Sequence, residues 1–245
     1  MLTLIPGDDR ALALVHAIRR GDLDRLERLL GEHEGLAGAW IGDRKGGSRS
    51  SLHVVTDWPG YFPNGPQVAR MLIAAGADPN ATTPDGREGE TPLHWAASSD
   101  DVDVADALMD AGANLETLGG SIAGGTPLDN AVGYGCWHVA QRLVERGARV
   151  DRLWQAAALG ILGRIEELLG SDPPPTTEDI NDAFWQACHG GQRRAAELLL
   201  SQGADVNWIP DYAQGTGVDI SPGPDTRRDL LATWLREHGG HPAGP

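Results

Sequence analysis

Three groups of residues carry the types that metal or acid–base chemistry requires. His53, His94 and Asp129 each directly follow a leucine, Leu52, Leu93 and Leu128; two imidazoles and a carboxylate are a suitable donor set for zinc. Asp100, Asp101, Asp103 and Asp106 form an acidic run of the donor type calcium takes, without the Asp-x-Asp-x-Asp-Gly spacing of a calcium loop. Asp57 and His189 are the candidates for an acid and a base. No complete catalytic signature frames any of them. The chain lacks His-Glu-x-x-His and the phosphate-binding Gly-x-x-x-x-Gly-Lys, and Gly119-Gly120-Ser121-Ile122-Ala123 departs from Gly-x-Ser-x-Gly at its last position. The sequence therefore names no catalytic residue and no cofactor, which leaves an enzyme reading without a nucleophile.

The elements that carry these residues decide what they can do. The pattern Thr91-Pro92-Leu93-His94-Trp95-Ala96-Ala97, followed by Leu108-Met109-Asp110-Ala111-Gly112-Ala113-Asn114, returns as Thr126 to Val132 with Leu143 to Arg149, and as Phe184 to Cys188 with Leu199 to Asp205. Weaker copies begin at Leu14, Leu52, Leu153 and Val218. Leu14 to Leu29, Leu93 to Leu108, Leu128 to Leu143, Leu153 to Leu168 and Phe184 to Leu199 are each 15 positions apart, whereas the anchor-to-anchor steps are 38, 41, 35, 25, 31 and 34. A rigid unit with variable connections is what paired helices joined by surface loops produce. Leu93, Ala96 and Ala97 share one helical stripe and Val104, Ala107 and Leu108 another; Gly112, Gly147 and Gly203 stop the second helices.

These residues resemble the ankyrin repeat, whose pattern is Thr-Pro-Leu-His with Ala-Ala, then Leu-x-x-x-Gly-Ala-Asp/Asn. The resemblance implies an all-α solenoid of about six full helix-turn-helix repeats and a truncated C-terminal capping unit. Residues 1–9 would be an N-terminal extension, 10–240 the repeat domain and 241–245 a disordered tail. It also implies that the column of His53, His94 and Asp129 ties neighbouring turns together. Geometry agrees, because packed helices lie about 8–10 Å apart and same-column side chains can hardly meet one ion through bonds of about 2.0–2.2 Å. No metal site is expected. The acidic run opens a second helix, where the helix dipole favours each carboxylate by about 0.3–1 kcal/mol.

Composition narrows the partners. Twenty basic residues against 35 acidic leave a formal charge of −15, which opposes binding to nucleic acid and favours a basic or neutral protein. Apolar stretches fall short of a membrane span. The first ten residues lack the features of a secretory signal, and Cys136 and Cys188 form no Cys-x-x-Cys pair, so a reducing cytoplasmic location is expected.

Three departures mark the repeats. Leu52 to Leu72 is 20 positions, so five extra residues fall in Asp57-Trp58-Pro59-Gly60-Tyr61-Phe62-Pro63-Asn64-Gly65, where proline and glycine forbid regular helix. The step of 25 from Leu128 to Leu153 leaves no room for a hairpin finger, and Ser221-Pro222-Gly223-Pro224 cuts short the last first helix. The ankyrin resemblance turns the positions two, five and six after each anchor into a concave groove. That groove would be formed by Asp57, Trp58, Trp95, Ser98, Ser99, Asn130, Tyr134, Gln155, Gln186 and His189, flanked by Tyr61 and Phe62 of the inserted loop. Two functions follow as expectations. The first is a non-catalytic protein-interaction module with an acidic, aromatic-lined groove. The alternative is a small-molecule site, catalytic or not, with the Trp58–Asn64 loop as its lid, Asp57 and His189 as acid and base, and Trp95 and Tyr134 as walls.

Overall fold

All seven anchors, Leu14, Leu52, Leu93, Leu128, Leu153, Phe184 and Val218, are buried. They sit on the first helix of successive pairs in the computed structural model, which describes residues 2–42, 46–82, 89–222 and 226–244. Met1, Gly223, Pro224 and Pro245 of the segments singled out above lie outside them. The chain divides into two compact units, residues 1–148 and 149–245.

In the first unit the pairs are α1 (Asp9–Arg20) with α2 (Leu23–Glu32), α3 (Ser51–Val55) with α4 (Gly65–Ala74), α5 (Pro92–Ser98) with α6 (Val102–Asp110), and α7 (Pro127–Gly133) with α8 (Trp137–Glu145). First helices pack on first helices, α1 on α3, α3 on α5 and α5 on α7, while second helices form the row behind them. Fully buried Ala96, Ala97 and Ala131 keep these short helices close. Several helices begin where a side chain satisfies the open amides. Ser50, Thr91 and Thr126 cap α3, α5 and α7 in reciprocal capping boxes with His53, His94 and Asp129.

The all-helical reading needs one addition. Strands β1 (Thr3–Leu4), β2 (Trp40–Gly42) and β3 (Ser48–Ser50) form a small sheet in that order. Thr3 and Leu4 run parallel to Trp40 and Ile41, and β2 runs antiparallel to β3, with Trp40 opposite Ser50. Leu4, Trp40 and Ile41 are buried, so residues from the expected N-terminal extension help to cover the first pair.

The second unit holds α9 (Leu153–Leu159) and α10 (Leu162–Leu169), α11 (Thr177–His189) and α12 (Arg193–Ser201), and α13 (Gly217–Ile220) and α14 (Thr226–Glu237). Its core gathers Leu153, Phe184, Cys188, Leu199, Leu231 and Leu235. α11 begins two turns before the anchor Phe184, because Thr176 and Asp179 make a capping box there. At the other end the expected disordered tail is tied down through residue 243. Thr216 Oγ1 donates to the His241 carbonyl at 2.7 Å, and Ala243 N–H donates to Asp219 at 2.8 Å.

Candidate interaction surface

The inserted loop is pinned on both sides. Asn64 Nδ2 donates to the Gly21 carbonyl after α1 at 2.9 Å, and Tyr61 N–H donates to Asp101, the N-cap of α6, at 2.7 Å. The Tyr61 hydroxyl also donates to the Asp100 carbonyl. Asp57 accepts from Arg19 at 2.7 Å and from Arg49 at 2.9 Å. Gly60 is left-handed (φ 77°), and a Cβ there would lie 2.9 Å from Ser99 Cβ, so the turn needs glycine. Tyr61 and Asn64 are left-handed as well (φ 56° and 53°), a conformation that costs a side-chain-bearing residue roughly 1–2 kcal/mol. The anchored loop nevertheless leaves Trp58 79% and Tyr61 63% exposed, and Phe62 half-buried.

Trp95 is packed differently. Its ring meets the buried His53 edge-on, with centroids 5.0 Å apart, and its indole N–H is buried without an acceptor. It is half-buried and shared between the surface and the repeat core, so it is less free than a groove anchor was expected to be. Ser98 and Ser99 are half-buried and donate back to the His94 and Trp95 carbonyls at 2.9 Å. Tyr134 is 53% exposed, its hydroxyl 3.2 Å from Ser121 Oγ.

The polar groove positions are largely turned inward. Asn130 is fully buried; its Nδ2 donates to Glu90 at 2.7 Å and to Ser98 at 3.2 Å, and its Oδ1 accepts from Ile122 N–H at 3.2 Å. It therefore braces the 119–125 finger against α5. In the second unit buried Gln155 accepts the Asp151 and Arg152 amides, and buried Gln186 donates to the Tyr212 hydroxyl at 3.2 Å. His189 lies tilted by 41° against Trp185, with centroids 5.5 Å apart, and burial pulls its pKa down to about 4, helped by Arg228. Finger and cap backbones leave buried amides that need partners; Asn130 and Gln155, near the starts of α7 and α9, are close enough to supply them, whereas Gln186 lies more than two turns into α11 and meets a side-chain hydroxyl instead.

Glu90, just ahead of Thr91-Pro92, was not singled out in the sequence. It accepts from Asn130 and from Ser121 N–H at 2.9 Å. Burial pushes its carboxyl up, but those hydrogen bonds outweigh burial and hold it below its ordinary value. Its position beside the capping threonine was the visible signal; partners 31 and 40 residues away were not.

In the column of His53, His94 and Asp129 the two histidines join successive turns, and Asp129 closes its own capping turn. His53 Nε2 lies 2.9 Å from the Glu90 carbonyl and His94 Nε2 3.2 Å from the Gly125 carbonyl, while Asp129 accepts Thr126 N–H at 2.7 Å. Among the described residues no three His, Cys, Asp or Glu side chains gather in a way that could hold a metal ion. No described helix is long and apolar enough to cross a membrane. As for an acid–base site, Asp57 is committed to two guanidiniums, and Trp58 keeps most of its surface in water.

Residues 52–152 match the family model of ankyrin repeats in three copies. Human ankyrin repeat and SOCS box protein 16 is 26% identical over 266 aligned positions, which take in 99% of this chain and 55% of that protein. The Drosophila melanogaster neurogenic locus Notch protein is 36% identical over 115 positions, 43% of this chain and 4% of that one. The chain thus spans about half the length of the first relative and a small part of the second. Among solved structures the human ASB11 ankyrin repeat domain superposes with a TM-score of 0.52 at 18% identity, covering 90% of this chain and 96% of that one; this is a likeness of fold. Anchors, capping boxes and stacked helix pairs agree with these matches: residues 52–152 are ankyrin repeats, and the chain has the fold of an ankyrin repeat domain.

Proposed function

We propose that the chain is a non-catalytic protein-interaction module that works in the cytoplasm and meets its partner through the Trp58–Tyr61 corner, with Phe62, Trp95 and Tyr134 beside it. The observation that carries this is the rigid presentation of two exposed aromatic rings. A free loop would fold such rings against the scaffold to remove them from water. Here the Asn64 side chain on Gly21 and the Tyr61 amide on Asp101 hold the loop, and the Tyr61 hydroxyl on the Asp100 carbonyl fixes its ring in place, while both rings keep most of their surface in water. Exposed aromatics on a fixed backbone are the usual anchors of recognition, and left-handed backbone at Tyr61 is strain that a functional site retains. Ankyrin repeats are in general protein-interaction modules, and the net charge of −15 favours a basic or neutral partner. Two buried, unpaired thiols, Cys136 and Cys188, suit a reducing compartment.

The test is affinity capture from the source cell with the wild type and with Trp58→Ala/Tyr61→Ala, followed by calorimetric titration of the recovered protein. Each ring at a hot spot should contribute about 2 kcal/mol or more. A partner held equally by both forms would refute the proposal.

A further inference from the structure

In the second unit we propose that the recess between the first two turns of α11 and the 208–212 loop holds the guanidinium head of an arginine side chain from a protein partner. The recess is about 440 Å³, ample for such a group. Its walls are of two kinds, carboxylates from Glu178, Asp179, Asp182 and Asp211 and aromatic surface from Trp208 and Tyr212. A guanidinium is the group that suits both at once. Its five donors fork onto several carboxylates, and its flat face stacks on an indole or phenol ring.

Helix stability accounts for only part of this acidity. Glu178 and Asp179 stand in the first turn of α11, where the dipole favours negative charge, and Asp179 accepts the Thr176 amide at 2.8 Å as part of the cap. The dipole effect falls off within that turn. Asp182 lies beyond it, one turn from Glu178 on the same helix face, and Asp211 arrives from another element altogether. Among the described residues no Arg, Lys or His pairs with any of the four. Asp182 has the Tyr212 hydroxyl as its donor; burial pushes its carboxyl up, and the neighbouring Asp179, Glu178 and Asp211 push it further. Elsewhere the same chain does neutralise its acids, as with Asp106 between Arg142 and Arg146. Concave shape, aromatic walls and uncompensated charge together call for a cation from outside.

This inference does not rest on the Trp58 surface, which belongs to the first unit, so either can fail alone. The test is a ¹⁵N NMR titration of the full chain with a blocked Ala-Arg-Ala peptide, its citrulline counterpart and spermine. Amide shifts should concentrate at 176–182 and 208–212, together with the Trp208 indole. Citrulline, which keeps the shape and loses the charge, should bind at least about tenfold more weakly. Asp182→Asn should weaken the arginine peptide by a similar factor; should it unfold the chain, Glu178→Gln/Asp211→Asn, at two acidic side chains that accept no bond among the described residues, reads the same effect. Glu27→Gln, which removes one exposed acid from the first unit, should change nothing. Equal binding of citrulline, equal loss in Glu27→Gln, or shifts spread over the whole acidic surface would overturn the proposal. Spermine binding more tightly than the peptide at these residues would overturn it too, by assigning the recess to a free polycation.

Discussion

His53 should make the first unit acid-labile by a measurable amount. Ser50 N–H points at its Nδ1 at 3.3 Å, so that nitrogen is an acceptor and Nε2 carries the proton donated to the Glu90 carbonyl. The neutral ring is thereby satisfied at both nitrogens. A second proton on Nδ1 would face an N–H donor, in a site already closed to water. Burial lowers the pKa from 6.5 to about 4, against the smaller raising effects of Glu90. The unfolded chain therefore takes up this proton first as pH falls. The contribution is constant above pH 6.5, declines between 6.5 and 4, and is level again below 4. At 1.36 kcal/mol per unit, the two units from pH 6.5 to 4.5 give a loss of about 2.7 kcal/mol.

The perturbation is His53→Gln, chosen because Gln155 already serves as a capping partner at the corresponding position of α9. At pH 7.5 the variant should be weaker by on the order of 1 kcal/mol for altered hydrogen bonding. Toward pH 4.5 its disadvantage should vanish and reverse, since it has no proton to take up. Urea titrations followed by circular dichroism at pH 7.5, 6.5, 5.5 and 4.5 give the difference curve, in which titrating groups that do not act on His53 cancel and only its neighbours Glu90 and His94 remain beside it. A flat difference across that range, or an NMR titration of folded His53 centred near 6.5, would refute the reasoning.

Other substitutions separate packing from presentation. Ala97→Leu places bulk at a fully buried contact and should destabilise by about 1–3 kcal/mol in the same urea assay. Trp58→Ala should leave the urea midpoint within about 0.5 kcal/mol of wild type. Trp95→Ala, which removes the edge contact with His53, should cost about 2–3 kcal/mol, below the range for a fully buried tryptophan. Asn130→Ala strands Glu90, Ser98 and the Ile122 amide and should cost about 1–3 kcal/mol, with faster hydrogen exchange in the 119–125 finger. An unchanged finger would show that its own backbone bonds suffice.

The repeat frame was legible because the pattern recurs: every anchor is an apolar residue, and the helices that carry five of the seven begin at a Ser or Thr cap. The extra turns of α11 carry a local signal too, the capping pair Thr176-x-x-Asp179 two turns ahead of the anchor Phe184. The sheet was not. Its strands are two or three residues long, and the partner of Leu4 is Ile41, a pairing with no local signature. Direction was the other hidden quantity. Position two after the anchor holds both Trp95, half at the surface, and Asn130, fully buried. What decides between them is a finger backbone that reaches Asn130 from a distance in sequence.

Net charge misleads in the same way, and salt will reveal it. The −15 of the chain is unevenly available. Around the Trp58 corner, Asp57 is bound by Arg19 and Arg49, and Asp100 and Asp101 spend acceptors on His138 and on backbone amides, so contact there rests on the rings more than on charge. The recess at Asp182 has no such internal cation among the described residues. Raising the ionic strength from about 0.01 to 0.1 M shortens the screening length from about 30 to 10 Å. Binding of the arginine peptide at the recess should weaken severalfold over that range, whereas binding that depends on Trp58 should hardly change, since apolar contact is not screened. Both slopes come from one series of calorimetric titrations at fixed pH. If the Trp58-dependent complex showed the steeper salt dependence, its attraction would be electrostatic, and the aromatic corner would be a neighbour of the true contact.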